Sequence, residues 1–359
     1  MQILITGASG LIGRELAGVL AERGHGVFAL MHRAQGLSRN DGRTLPTTAW
    51  AGTPPEPGGI VAVQGDVCSG HFGLAPDACA RLADSLDLIV HCAALTGFAL
   101  PPARYAQVNI GGTANVLEVA AGGAVPVLLV STAYVCGERS GPIEERPTAA
   151  DVRFANGYES SKAAAEHLAL AAAARGLPVA IARPSIVMGS TTDGAIGAFG
   201  GIYQLLRLLS DGRITALPAD PAASLDLVPI DHVVDGLVDL AERIDDAAGG
   251  IFHLVSSAPM TLRALHRAAG GFPHLRRPCL IAPEQFDPDR LSGRERLLHE
   301  QVTAPYANYL QRDPRFCDRR FEALTGRRCP DTGDGFLRRI VEYCMTAGFL
   351  RSAVQRTSG

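Results

Sequence analysis

Ile3-Leu4-Ile5-Thr6-Gly7-Ala8-Ser9-Gly10-Leu11-Ile12-Gly13 opens the chain and decides its fold. A short apolar strand, Ile3 to Thr6, runs without a linker into a glycine turn. A helix is expected from Leu11 to Arg23, closed by Gly24, followed by a second strand from Val27 to Met31. Strand, glycine turn, helix and strand within about thirty residues is the setting in which a glycine motif holds a dinucleotide. Gly7, Gly10 and Gly13 let the backbone turn tightly and approach a pyrophosphate, whose charge rests on the helix N-terminus. An ordinary glycine-rich connection is the plain alternative. The position and spacing of the motif weigh against it.

The end of the second strand bears on the cofactor. An acidic residue there would bond the adenosine ribose and favour NAD. His32-Arg33 stands there instead, and Arg14 follows the last motif glycine. Two guanidinium groups near that ribose suit a 2′-phosphate, so NADPH is expected rather than NADH. The competing reading is two solvated surface arginines.

Residues 34 to 59, rich in Gly, Pro and Thr and holding the only tryptophan, Trp50, read as an excursion from the fold. A third strand is expected from Ile60 to Val63, leading to Gly65-Asp66-Val67. A fourth, Leu88 to Cys92, is an unbroken apolar run, as a parallel strand buried on both faces should be. The small residues Cys92-Ala93-Ala94 let a cofactor pass close to the backbone, and His91 reads as structural. A fifth strand, Val127 to Val130, ends in Ser131-Thr132, placing hydroxyls at the carboxyl edge of the sheet, where ligands of doubly wound folds bind. Strand alternation turns only one of the two toward a substrate. A sixth strand runs from Val179 to Ala182, and Asp231 reads as a helix N-cap, with His232 structural rather than a metal ligand. The pattern is α/β: a doubly wound parallel (Rossmann) sheet over 1–255. A smaller, mostly helical substrate lobe is expected over 256–359, with 189–225 contributing to it.

Tyr158-Glu159-Ser160-Ser161-Lys162 precedes an alanine-rich helical run. Tyr and Lys four apart share one helix face. A phenol with an ordinary pKa near 10 becomes a usable acid or base when a nearby cation favours its phenolate. The pair is therefore a candidate proton donor, and the ammonium can also hold sugar hydroxyls. Alone, the pair could equally be a surface tyrosine beside a solvated lysine.

Gly7-x-x-Gly10-x-x-Gly13 together with Tyr158-x-x-x-Lys162 resembles the extended short-chain dehydrogenase/reductase superfamily over most of the first 255 residues. The resemblance implies catalysis by Thr132, Tyr158 and Lys162, with Thr132 bonding the substrate carbonyl. It implies a cofactor site from Gly7, Ser9, Gly10, Leu11, Ile12, Gly13, Arg14, Arg33, Asp66, Val67, Cys92, Ala93, Ala94, Asn109 and Lys162. Pro184, Ser185 and Ile186 would flank the nicotinamide, Asp66 would touch the adenine, and Asn109 would brace the active site. Asp66 could instead be a turn residue and Asn109 a locally bonded buried amide. Ser131 to Val135, Arg183-Pro184-Ser185-Ile186-Val187 and Asp226 to Asp235 look most like the branch of thioester reductases and fatty acyl-CoA reductases. That branch implies NADPH-dependent reduction of an acyl thioester, on CoA or a carrier protein, to the aldehyde, with reduction on to the alcohol left open. The alternatives are an extended-family enzyme acting on a ketone, steroid-like or nucleotide-sugar substrate, and a sensor that binds cofactor without catalysis. The retained Thr132, Tyr158 and Lys162 argue against the sensor.

Composition bounds the rest. With 359 residues, 47% of them hydrophobic, the chain can bury a large core. Its net charge of -3 gives no reason to expect nucleic acid as a partner. No apolar run is long enough to span a bilayer, and Met1 leads directly into a strand with no apolar leader. Eight scattered cysteines without a C-x-x-C pair argue against zinc and suggest reduced thiols in a cytoplasmic protein. The partner expected is a small or carrier-tethered acyl substrate; the pattern leaves a homodimer open.

Overall fold

The computed structural model describes residues 1–34, 36–272 and 275–350. Gln35, within the 34–59 segment, and residues 273, 274 and 351–359, within the expected C-terminal lobe, lie outside the described residues.

Eight strands form one sheet: β1 (Gln2–Thr6), β2 (Gly26–Met31), β3 (Thr48–Ala49), β4 (Ile60–Gln64), β5 (Leu88–His91), β6 (Val127–Val130), β7 (Val179–Pro184) and β8 (Ile251–Leu254). Their order is β8-β7-β6-β5-β1-β2-β4-β3, and every pairing is parallel. The order reverses between β1 and β5, which opens a crevice at their carboxyl ends.

The apolar runs are covered on both faces. Ile3 and Ile5 pack with Leu16 and Leu20 of helix α1 (Leu11–Glu22) on one side. Leu4 packs on the other side with Val116 of α2 (Gly112–Gly123) and Ala169 of α3 (Gly157–Ala174). Among the described residues no helix is long and apolar enough to cross a membrane.

The 34–59 segment is not wholly an excursion. Leu37–Ser38 pairs with Thr44–Leu45, and β3 adds an edge strand beside β4. The Trp50 ring then meets Phe28 edge-on at 6.5 Å. Two residues of strand among prolines and glycines are too short to give a periodic signal.

A third core lies beyond the carboxyl edge of the sheet. It gathers Tyr203 and Leu205 of α4 (Ile202–Ser210), Leu225, Leu262, Tyr309, and Phe336 and Ile340 of the helix Asp334–Thr346. The chain then ties this region back to the sheet. Pro314–Phe316 pairs in parallel with Gly141–Ile143, and Phe321 of the helix Arg319–Thr325 is buried in the sheet's own core.

Candidate functional site

The glycine turn is shaped by close approach. Gly7 has φ +68°, and a Cβ there would stand 2.6 Å from the backbone nitrogen of Ala93. A Cβ on Gly13 would collide with the Gly7 carbonyl. Gly10 N–H donates to the Gly7 carbonyl at 2.8 Å, which completes the turn. The ends of β1 and β5 are locked beside it: Thr6 Oγ1 meets His91 Nδ1 at 2.6 Å, and His91 Nε2 meets Thr113 Oγ1 at 3.0 Å. Burial drives the His91 pKa down to about 3, so the ring is neutral and structural. This backbone-lined cradle at the N-terminus of α1 fits a dinucleotide pyrophosphate.

Just past β2, Arg33 is exposed and makes no ion pair among the described residues. Arg14 is more committed. It donates to Ser9 O at 2.6 Å and to Gly10 O at 3.2 Å, spending two of its five donors on bracing the turn. Asp66 accepts from Cys68 N–H at 2.9 Å, a local turn bond, while its other oxygen faces His32 at 3.4 Å. The Val67 carbonyl accepts from Asn115 at 2.7 Å.

Asn109 lies in a π-helical stretch, Ala106–Gly111, of the kind found often at functional sites. Its amide is fully used. The oxygen accepts from Leu95 N–H at 2.7 Å, and the nitrogen donates to Leu95 O at 3.0 Å and to Ser161 Oγ at 2.8 Å. Ser161 in turn donates to the Tyr158 carbonyl at 2.8 Å. Asn109 thus ties the loop after β5 to the first turn of α3.

That first turn carries Tyr158 and Lys162. It begins with a side-chain cap: Asn156 Oδ1 accepts from Glu159 N–H at 2.9 Å, and Glu159 Oε2 reaches one residue before the cap to accept from Ala155 N–H at 3.0 Å. Lys162 is buried and donates to the Val130 carbonyl at 2.8 Å. Burial lowers its pKa to about 8, against the opposing pull of Glu166. It is the only lysine in the chain; every other basic residue outside the histidines is arginine, which cannot release its proton. The Tyr158 phenol is pushed up to about 12 by burial, opposed by a hydrogen bond from Thr132. The hydrogen bond from Thr132 acts in the direction that the sequence pattern expects of Lys162. Thr132 also accepts from Tyr134 N–H at 3.3 Å, while Ser131 Oγ is buried without a partner among the described residues.

A cavity of about 440 Å³ connects these groups. Gly10, Leu11, Ile12, Ala94, Thr132, Tyr158, Lys162, Pro184, Ser185 and Ile186 all line it, and so does Ser131. Gly7, Ser9, Gly13, Arg14, Arg33, Asp66, Val67, Cys92, Ala93 and Asn109 do not line this cavity. Ser185 is not free: it donates to Asp226 at 2.5 Å, and Asp226, pushed up to about 6 by burial, also accepts from Ser256 N–H. Cys92 and Cys136 are raised to about 12 and about 11 by burial, so neither offers a thiolate.

Most of the opposite wall comes from the expected C-terminal lobe, though the sequence did not single out its residues. Phe98, Tyr306, Tyr309 and Leu310 close the cavity, with Phe98 stacked on Tyr309 at 5.2 Å and 6.0 Å from the Tyr158 ring. A buried pair escaped sequence reasoning: Arg183 is paired bidentately with Glu166 at 2.6 and 2.9 Å, holding β7 to α3. The Asn156-x-x-Glu159 spacing was the available signal for the helix start.

The family model described as male sterility protein matches residues 5–237. Glycine betaine reductase ATRR of Emericella nidulans is 30% identical over 211 residues, 57% of this chain and 16% of that protein. Polyketide synthase-nonribosomal peptide synthetase ACE1 of Pyricularia oryzae is 28% identical over 262 residues, 69% of this chain and 6% of that protein. The chain therefore spans only a small part of these curated relatives. Among solved structures, the terminal R domain from the myxalamid PKS-NRPS biosynthetic pathway superposes with a TM-score of 0.78 at 24% identity, covering 97% of this chain and 91% of that one. It shares the fold. With a model that matches well over half its length, the chain belongs to the male sterility protein family, and as an extended short-chain dehydrogenase/reductase it is an NAD(P)-dependent oxidoreductase.

Proposed function

We propose that this chain reduces an acyl thioester, carried by CoA or by a carrier protein, using NADPH. The observation that carries the reading is the cavity where the glycine turn meets Thr132, Tyr158 and Lys162 with no ionisable thiol beside them. The names of the two relatives, a reductase and a polyketide synthase-nonribosomal peptide synthetase, support a thioester as substrate. Exposed Arg33 at the end of β2 supports NADPH over NADH.

When bound, the reduced nicotinamide supplies a hydride to the carbonyl carbon. The chain's part is electrostatic and protonic. Thr132 and Tyr158 hydroxyls face the carbonyl oxygen and stabilise the charge developing there, as oxyanion-hole donors do. Tyr158, protonated well past neutral pH, donates its proton to that oxygen. The buried ammonium of Lys162 holds a positive charge beside the phenolate left behind and suits the ribose hydroxyls. The Tyr158 phenolate takes back the hydroxyl proton of the resulting hemithioacetal as its carbon–sulfur bond breaks; the thiolate leaves with the electron pair and the aldehyde forms. Reduction on to the alcohol would need a second reduced cofactor and would use the same groups. No covalent enzyme intermediate is needed, in keeping with the inert Cys92 and Cys136. The test is a panel of acyl-CoAs, a carrier-protein thioester and ketones, following NADPH absorbance and identifying products. Turnover of ketones alone moves the chain to ketone reduction.

A further inference from the structure

Arg312 enters the sheet domain from the far end of the chain, 153 residues after Glu159. Its side chain is 4% exposed, and Glu159 is wholly buried. One arm donates to Glu159 Oε1 at 2.7 Å, the residue next to Tyr158. The other donates to the Gly137 carbonyl, at the end of the turn that begins with Thr132. The guanidinium plane lies over the Tyr309 ring at 4.5 Å and the Tyr134 ring at 5.1 Å, both of which line the cavity. One buried cation therefore grips the helix bearing Tyr158, the turn bearing Thr132 and the aromatic wall opposite them.

We propose that Arg312 is a positioning residue that fixes the Thr132 and Tyr158 hydroxyls relative to each other, coupling the C-terminal wall of the cavity to the proton-donating machinery. It rests on the carbonyl-reduction reading for its kinetic test only. The fork matters as much as the charge. A lysine can neutralise Glu159 but cannot reach Glu159 and Gly137 in the fixed geometry of a guanidinium. The Glu159 charge is also felt at Tyr158, whose pKa it raises.

A purely structural ion pair and a positioning one respond differently to removal of both charges. Replacing a buried pair with neutral groups of similar size is often harmless to stability, whereas removing one partner is not. Arg312→Met alone should be destabilised. Glu159→Gln/Arg312→Met should regain most of the lost stability in urea unfolding. Its turnover of octanal or octanoyl-CoA with NADPH should stay at least tenfold below wild type, with the Kd for NADPH unchanged. Arg312→Lys should fold like wild type and lose roughly tenfold in kcat. Recovery of turnover together with stability in the double variant, or a kcat for Arg312→Lys within twofold of wild type, overturns the proposal. If wild type reduces neither probe, the functional reading fails and hydrogen exchange decides the positioning claim. In Arg312→Lys the Tyr134 amide, bonded to Thr132 Oγ1 at 3.3 Å, should exchange at least tenfold faster than in wild type. Unchanged exchange there refutes it.

Discussion

Lys162→Met should make the cofactor-free protein more stable at neutral pH while disabling it. The ammonium is 2% exposed and its pKa falls from the ordinary 10.5 to about 8, chiefly through burial. That gap is worth about 3 kcal/mol against the charged form in the native state. Below pH 8 the full cost is present. Between about 8 and 10.5 the unfolded chain binds more protons at this residue than the native protein, so wild-type stability rises with pH through that window. Methionine is of similar length and carries no charge. It forfeits the bond to the Val130 carbonyl, about 1 kcal/mol net. The variant should therefore be more stable than wild type by about 2 kcal/mol at pH 7, and the advantage should vanish by about pH 10. Urea unfolding followed by the fluorescence of Trp50, packed on Phe28, measures both. Turnover should fall by about a hundredfold to ten-thousandfold, the scale for a positioned acid–base group. A variant less stable than wild type at pH 7, or a difference that does not change between pH 7 and 10, refutes the reasoning.

Three further outcomes are expected. Arg33→Ala should weaken NADPH binding about tenfold to a hundredfold, the loss of one charge-assisted phosphate contact of roughly 1.5–3 kcal/mol, and leave NADH binding nearly unchanged. Equal wild-type affinity for the two cofactors sinks the NADPH assignment. Tyr158→Phe removes one oxygen, should bind cofactor normally, and should lose about a hundredfold to ten-thousandfold in turnover; activity near wild type removes Tyr158 from the mechanism. Gly7→Val places a branched side chain at φ +68° against Ala93, strain of about 1–3 kcal/mol before any clash, and fluorescence titration should find NADPH binding lost. Retained affinity contradicts the cradle.

Most of the sheet was legible because strands buried on both faces give unbroken apolar runs, as Leu88 to His91 and Val127 to Val130 do. The glycine turn was legible because its backbone demands are written in residues without a Cβ. β3 was not: Thr48–Ala49 is too brief to show a period and is made a strand by its neighbour β4. Tyr158 and Lys162 were found by helical spacing. Spacing alone could not show that the ammonium bonds Val130 or that Thr132, on a different element, bonds the phenol. The grip of Arg312 on Glu159 joins positions far apart in the chain. Nothing local marks it, because a buried arginine and a solvated one look alike in sequence.

The most direct test of the account is leaving-group release. Purified protein with NADPH and a medium-chain acyl-CoA should liberate free thiol, read with a thiol reagent, in step with the loss of NADPH absorbance. No thiol from short, medium and long acyl-CoAs or from a carrier-protein thioester, beside brisk NADPH oxidation by a ketone or sugar substrate, would contradict it.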